Sequence, residues 1–508
     1  MNSLAKVVVI GIDAGDGPLI ERWARAGALP TFRRLLDHET HGMTANPRGL
    51  VAGSVWATFY TGVSPARHGQ YAGNEHFDPV EYRETDYRPE ELTAPPMWAR
   101  LSDAGRRVAV IDAPYTFLHS HINGINVVDW GTHARRQGAT FHTWPPSLAD
   151  EILEKFGPDV IGECDAIRPR NAEEHRAFRD KLIDRVRRKT DMSLHYLAQG
   201  NWDLFVTVYG DAHCAGHQCW HVHEPTNHLH DPAIAREVGD PLKDVYVAID
   251  AGIDRILKAC GPETTVIIFC SHGMTHHHSG TRLLDDMLLA LDGGHRPQTR
   301  DALTRTLREM WVRSPRWVRA CLKPLRGPVN DALVLNKRAG RRYFEVINNN
   351  ATGGVRINLK GREKEGIVNP GAEYDALCDA LVHDLRTFVN ADTGEPLVAE
   401  IIKTADLYSG PRLAHLPDIL VTWNRSAPIR RVASPKTGAI ENRQGEGRTG
   451  DHTMEGKFFV VGRARNAVNR PVPVTDFAAT VVGMLNVTAP DLEGRPIPEI
   501  LRAPAKVA

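Results

Sequence analysis

Five short stretches of the chain hold side chains that bind metal ions or attack electrophiles. Asp13 closes the run Val7-Val8-Val9-Ile10-Gly11-Ile12 and is followed by Ala14-Gly15, a carboxylate on a turn whose glycines allow close backbone approach. Asp211, His213 and His217 stand in Asp211-Ala212-His213-Cys214-Ala215-Gly216-His217, and Ser271-His272 directly follows Ile267-Ile268-Phe269-Cys270. Asp451-His452 precedes a late apolar run, and Ser54 offers a hydroxyl in Gly53-Ser54-Val55-Trp56. Carboxylates and imidazoles are the donors that zinc and similar dications take. Asp13, Asp211, His213, His217, His272 and His452 are therefore candidate ligands, and a divalent metal, zinc, is the expected cofactor. Each also has a bland reading, since Asp and His cap helices and close turns. Ser54 reads equally as a nucleophile or as a helix-start residue that satisfies a backbone amide.

Position sets these residues apart. Short β-branched runs recur at residues 6–12, 107–111, 204–209, 265–270, 419–423 and 458–461, with helical segments between them. Such runs read as buried strands of a mostly parallel sheet with helices on both faces, an α/β fold. Ligands of such sheets bind beyond the carboxyl ends of strands, which is where Asp13, Asp211, Ser271 and His272 fall. The spacing Gly11-x-Asp13-x-Gly15 fails the Gly-x-Gly-x-x-Gly pattern of dinucleotide folds. Residues 283–342 are amphipathic and Arg-rich and are expected to form an inserted helical cap, with the core made by residues 1–282 and 343–508. In the cap, Trp311, Arg313, Trp317 and Arg319 have the chemistry to stack on and pair with a nucleotide, but at helical spacing such residues more often serve packing and solvation. Residues 140–197 are helical and charged, and their charges read as a solvated face.

The bulk composition excludes some partners. Lys+Arg and Asp+Glu balance at 62 each in 508 residues, which points to neither a nucleic acid polymer nor an acidic membrane surface. The opening residues lack a signal-peptide pattern, and no apolar stretch approaches the roughly 20 residues of a spanning helix, so a cytoplasmic protein is expected. The seven cysteines have no paired short spacings and read as reduced, partly buried thiols.

The run Thr61-Gly62-Val63-Ser64-Pro65-Ala66-Arg67-His68-Gly69, with Cys270-Ser271-His272-Gly273-Met274 and Gly450-Asp451-His452-Thr453-Met454-Glu455-Gly456, resembles the type I phosphodiesterase and nucleotide pyrophosphatase branch of the alkaline phosphatase superfamily. The resemblance spans nearly the whole chain. It implies an alkaline-phosphatase-like fold, two zinc positions, and two-step phosphoryl transfer through a hydroxyl at a helix N-terminus. Three departures follow. The family nucleophile falls on Ala52, which leaves Ser54 or a metal-activated water. Ser271 replaces a metal-binding Asp, so the second position, with Asp13 and His272, is weakened. In the first position, with His217 and His452, either Asp211 or His213 is the remaining ligand. The expected activity is metal-dependent hydrolysis of a phosphodiester or related small anionic ester, a nucleotide being one such ester. The alternative is a metal-binding regulatory protein without turnover. A sulfatase fits less well, because Ala52-Gly53-Ser54-Val55-Trp56 lacks the Pro and Arg those enzymes carry.

Overall fold

Nine strands build the central sheet of the computed structural model, which describes residues 5–50, 53–132, 135–136, 140–162, 164–293, 338–441 and 447–501. In chain order they are β1 (Ala5–Ile12), β2 (Thr40–Ala45), β3 (Val108–Ile111), β4 (Gly124–Val128), β5 (His142–Trp144), β6 (Trp202–Tyr209), β7 (Thr265–Cys270), β8 (Glu455–Val461) and β9 (Val472–Pro473). Across the sheet the order is β9-β2-β8-β7-β1-β6-β3-β4-β5. The five strands β7-β1-β6-β3-β4 are parallel, whereas β8 runs against both β7 and β2, and β5 against β4.

Strand β1 shows why the runs fold this way. Its side chains alternate across the sheet: Val8, Ile10 and Ile12 join one hydrophobic cluster and Val7 and Val9 the other. A strand buried on both faces must be apolar throughout, and each such side chain stabilises the fold by about 1.5–3 kcal/mol. Helices α1 (Gly17–Arg25), α3 (Ala172–Ala198), α4 (Asp211–His223) and α5 (Pro241–Ala259) cover the first face, and α2 (Gly53–Thr61) and α6 (Thr475–Met484) the second.

A separate four-stranded antiparallel sheet orders Tyr343–Val346, Thr352–Ile357, Ile419–Trp423 and Val398–Lys403 side by side. It has its own hydrophobic cluster, which takes in Leu284 and Leu288 of helix Thr281–Leu291 and Leu381 and Leu385 of helix Ala372–Arg386. The run 419–423 thus forms a strand, but of this sheet and not of the central one. An apolar run reports burial and is silent about which sheet buries it. Residues 294–337, with Trp311, Arg313, Trp317 and Arg319 and most of the expected cap, lie outside the described residues. Among the described residues no helix is long and apolar enough to cross a membrane.

Candidate metal centre

The parallel strands β1, β6 and β7 end at the same edge of the sheet, and there they deliver Asp13, the start of α4, and Ser271-His272. Because β8 is antiparallel to β7, its beginning lies at that edge too, with Lys457 opposite Cys270. Just before it, Gly450–His452 pairs with Met274–His276 in a short antiparallel ribbon that sets His452 opposite Met274. Four separate segments therefore meet at one place.

Helix α4 begins at Asp211, directly after β6, so His213 and His217 are four residues apart on one helical face. Their Nε2 atoms lie 3.1 Å apart. His452 completes the group: one donor atom from each of His213, His217 and His452 falls within 4.8 Å of the others, and all three rings are buried. His272 is the next ring out, its centroid 4.3 Å from that of His452.

Backbone contacts fix this arrangement. His217 Nδ1–H donates to the Gly450 carbonyl at 2.8 Å, and the Thr449 amide donates back to the His217 carbonyl at 2.8 Å. A carbonyl only accepts, so His217 carries its proton on Nδ1 and turns the Nε2 lone pair toward His213. Gly450 is what allows the approach, since a Cβ there would sit 2.3 Å from the Gly216 carbonyl oxygen. Arg425 donates to the His452 carbonyl at 2.6 Å. Buried Asp451 accepts from His277 Nδ1 at 3.1 Å. Burial pushes the Asp451 carboxyl up, but His277, Arg425 and Arg448 outweigh it and hold the group below its ordinary value.

Asp13 and Ser271 form a second, adjoining set. Asp13 Oδ1 accepts from Trp56 Nε1 at 2.7 Å and from Ser271 Oγ at 3.2 Å. Ser271 Oγ in turn accepts from the Ala14 amide at 3.1 Å and lies 3.0 Å from His272 Nδ1. With the hydroxyl proton given to Asp13, His272 must donate from Nδ1, which leaves Nε2 as a lone pair. That atom is buried and finds no hydrogen-bond partner among the described residues. Burial lowers the His272 pKa against the opposing charges of Asp13 and Asp451, so the ring is neutral and fit to ligate.

Asp211 and Ser54 are placed differently. Asp211 is not part of the three-histidine group and accepts from Arg185 Nε of α3 at 2.7 Å, while burial pushes its carboxyl up to about 6 against the pull of that guanidinium. Helix α3 is thus more than a solvated face, because Arg185 and Lys189 are both buried, the latter paired with Asp112. Ser54 lies in the first turn of α2, fully buried, and its Oγ makes no hydrogen bond to the described residues. Ala52 lies outside the described residues. His277 and His278 are buried as well: the first holds Asp451 and the second donates to the Arg425 carbonyl at 2.9 Å. Trp56, Arg185 and Arg425 had no sequence signal, because each acts across a long separation in the chain.

The donor set fits a metal ion. Zinc–nitrogen distances of about 2.0–2.1 Å place two nitrogens of a tetrahedral site roughly 3.3 Å apart, close to the 3.1 Å between His213 and His217. The oriented His217 tautomer is also what a ligand requires.

Comparisons with known proteins bear on the fold and the family. Among curated proteins none matches the sequence. In structure the chain is similar to phosphonoacetate hydrolase from Sinorhizobium meliloti in complex with phosphonoformate (TM-score 0.53, 13% identity, 94% of this chain and 95% of that one). It is also similar to the wild-type alkaline phosphatase PafA (TM-score 0.55, 14% identity, 98% and 99%). A third likeness is to murine ectonucleotide pyrophosphatase/phosphodiesterase 5 (TM-score 0.50, 14% identity, 96% and 97%). These likenesses show an alkaline-phosphatase-like fold. The family model for type I phosphodiesterase/nucleotide pyrophosphatase matches residues 7–453, and the chain belongs to that family.

Proposed function

We propose that the chain is a metal-dependent phosphoester hydrolase in which His213, His217 and His452 hold one ion, zinc, and the Asp13–Ser271–His272 set no longer holds a second with comparable strength. The observation that carries this reading is the convergence of three buried imidazoles, one of them oriented by the Gly450 carbonyl. Family membership supports the reaction class, and the substrate is a small phosphate ester. Bound there, zinc supplies Lewis-acid polarisation of a phosphoryl oxygen.

The remaining work falls to the chain. The first-turn amides of α2 are donors for phosphate oxygens. Ser54 is the candidate nucleophile on that turn, its hydroxyl uncommitted to any described residue. Ser271 fills the place of a carboxylate with a neutral hydroxyl, and removing one negative ligand weakens a dication site.

Ala52 and Ser271 favour a second reading, a protein that binds a phosphate ester without turning it over. Murine phosphodiesterase 5 with one Thr changed to Ala is inactive and in complex with AMP. Hydrolysis of an aryl phosphodiester by the wild type, Ser54→Ala and His217→Ala separates the readings. Loss in both variants supports the serine, and loss in His217→Ala alone supports water as the nucleophile. Bound metal with no turnover of any ester overturns the hydrolase in favour of the binding protein.

A further inference from the structure

His213 belongs to a second group of buried donors. Sγ of Cys164, Sγ of Cys214 and a ring nitrogen of His213 all lie within 4.8 Å of one another. None of the three side chains is more than 1% exposed. Cys164 opens the turn Cys164–Ala166, and Cys214 follows His213 in the first turn of α4. The two thiols are in hydrogen-bond contact although the sequence separates them widely.

Buried cysteines often act as small hydrophobes, so the surroundings decide. Arg185 Nη2 donates to Cys214 Sγ at 3.3 Å, while its Nε is taken by Asp211 at 2.7 Å. The single guanidinium charge is therefore already met by a carboxylate. A dication, not Arg185, would balance a pair of thiolates. Zinc–sulfur bonds of about 2.3 Å and zinc–nitrogen bonds of about 2.0 Å put the donors of a tetrahedral site roughly 3.3–3.8 Å apart. The donors, all within 4.8 Å of one another, are close to that spacing.

We propose that Cys164, Cys214 and His213 form a second cation site, for a soft or borderline ion such as zinc or copper(I), with His213 shared between it and the three-histidine centre through its two ring nitrogens. Loading releases the two thiol protons, and filling both sites releases the ring proton of His213 as well. The sulfur donors set this position apart from the oxygen-bearing set around Asp13. The proposal shares His213 with the functional reading above but does not depend on turnover.

Cobalt(II) loading of the full-length protein tests it. The wild type is expected to show near-ultraviolet sulfur-to-cobalt charge-transfer absorption, and Cys164→Ser and Cys214→Ser are each expected to lose most of that band and one ion per chain. His452→Ala breaks only the three-histidine set, so it should keep the band even where hydrolysis is lost, which separates failure of the two readings. Absence of the band in folded, cobalt-loaded wild type would overturn the site whether or not the variants fold. So would a denatured-state thiol count two below the seven cysteines of the sequence, which would mark the pair as a disulfide.

Discussion

Ser271 gives a neutral solution to a position where a dication would want charge. Its single proton goes to Asp13 and its lone pairs receive the Ala14 amide and His272, so its hydrogen-bonding capacity is filled by protein. Placing a carboxylate there sets it beside Asp13, and two buried like charges that close are unstable unless a cation lies between them. Ser271→Asp is therefore expected to raise the metal content by about one ion per chain above the wild-type value and to make thermal stability strongly dependent on added zinc. Elemental analysis and melting curves with and without zinc check this, and unchanged metal content would count against the reading of Ser271. At the neighbouring centre the proposed ligand His217 is also an anchor, its Nδ1 held by the Gly450 carbonyl. Second-shell changes at metal sites typically weaken binding about 10–100-fold, so His217→Ala should lose more than about 100-fold in zinc affinity, measured by competition with a chromophoric chelator.

Elements position these residues by close backbone approach, and glycine makes it possible. The ribbon carrying His452 lies against α4 because Gly450 has no side chain, and an added methyl would meet the Gly216 carbonyl and Trp220 Cβ at 2.3 and 2.7 Å. Gly450→Ala should destabilise the fold by about 1–3 kcal/mol by overpacking and loosen zinc binding with it, as read from urea unfolding and zinc titration. The Thr-Gly-x-x-Pro-x-x-His-Gly run has a comparable structural task. Gly62 and Gly69 take φ of +69° and +86°, which end successive helical segments, and His68 Nε2 lies 3.1 Å from Thr58 Oγ1 of α2. Its Nδ1 accepts from the Gln70 amide, so the ring is neutral and bears its proton on Nε2. Burial lowers the His68 pKa to about 3. Folding favours the neutral form, so this contribution is fully present above the ordinary value of about 6.5 and is lost as pH falls toward 3, at about 1.4 kcal/mol per pH unit. Urea unfolding between pH 6.5 and 5 should show a steeper loss for the wild type than for His68→Gln; equal slopes would show that His68 is not the group responsible.

Much of this site was legible because strand ends are legible. Runs of Val and Ile marked β1, β6 and β7, and the groups behind them, Asp13, His213, His217 and His272, fall where the sheet delivers ligands. The different placement of Asp211 and His213 was not legible, because both follow β6 within four residues. What separates them is Arg185, a partner from another helix that claims Asp211. Spacing could not show the pairing of Cys164 with Cys214 either, since the fold alone brings them together.

For the whole molecule, the sheet makes one edge at which parallel β1, β6 and β7 and the reversed β8 converge, and the three-histidine centre stands there. The four-stranded sheet has a hydrophobic cluster of its own, so substitutions within that cluster should alter stability more than metal content. The central claim is that His213, His217 and His452 hold the ion that supports phosphoester hydrolysis. Its most direct test is one protein sample followed through chelation and zinc re-addition, with aryl phosphodiester hydrolysis and bound metal measured at each stage. The account predicts that hydrolysis disappears with the ion, returns in proportion to re-bound zinc, and does not return in His452→Ala. Hydrolysis that survives complete removal of metal, or zinc that re-binds fully without restoring turnover of any ester, would contradict it.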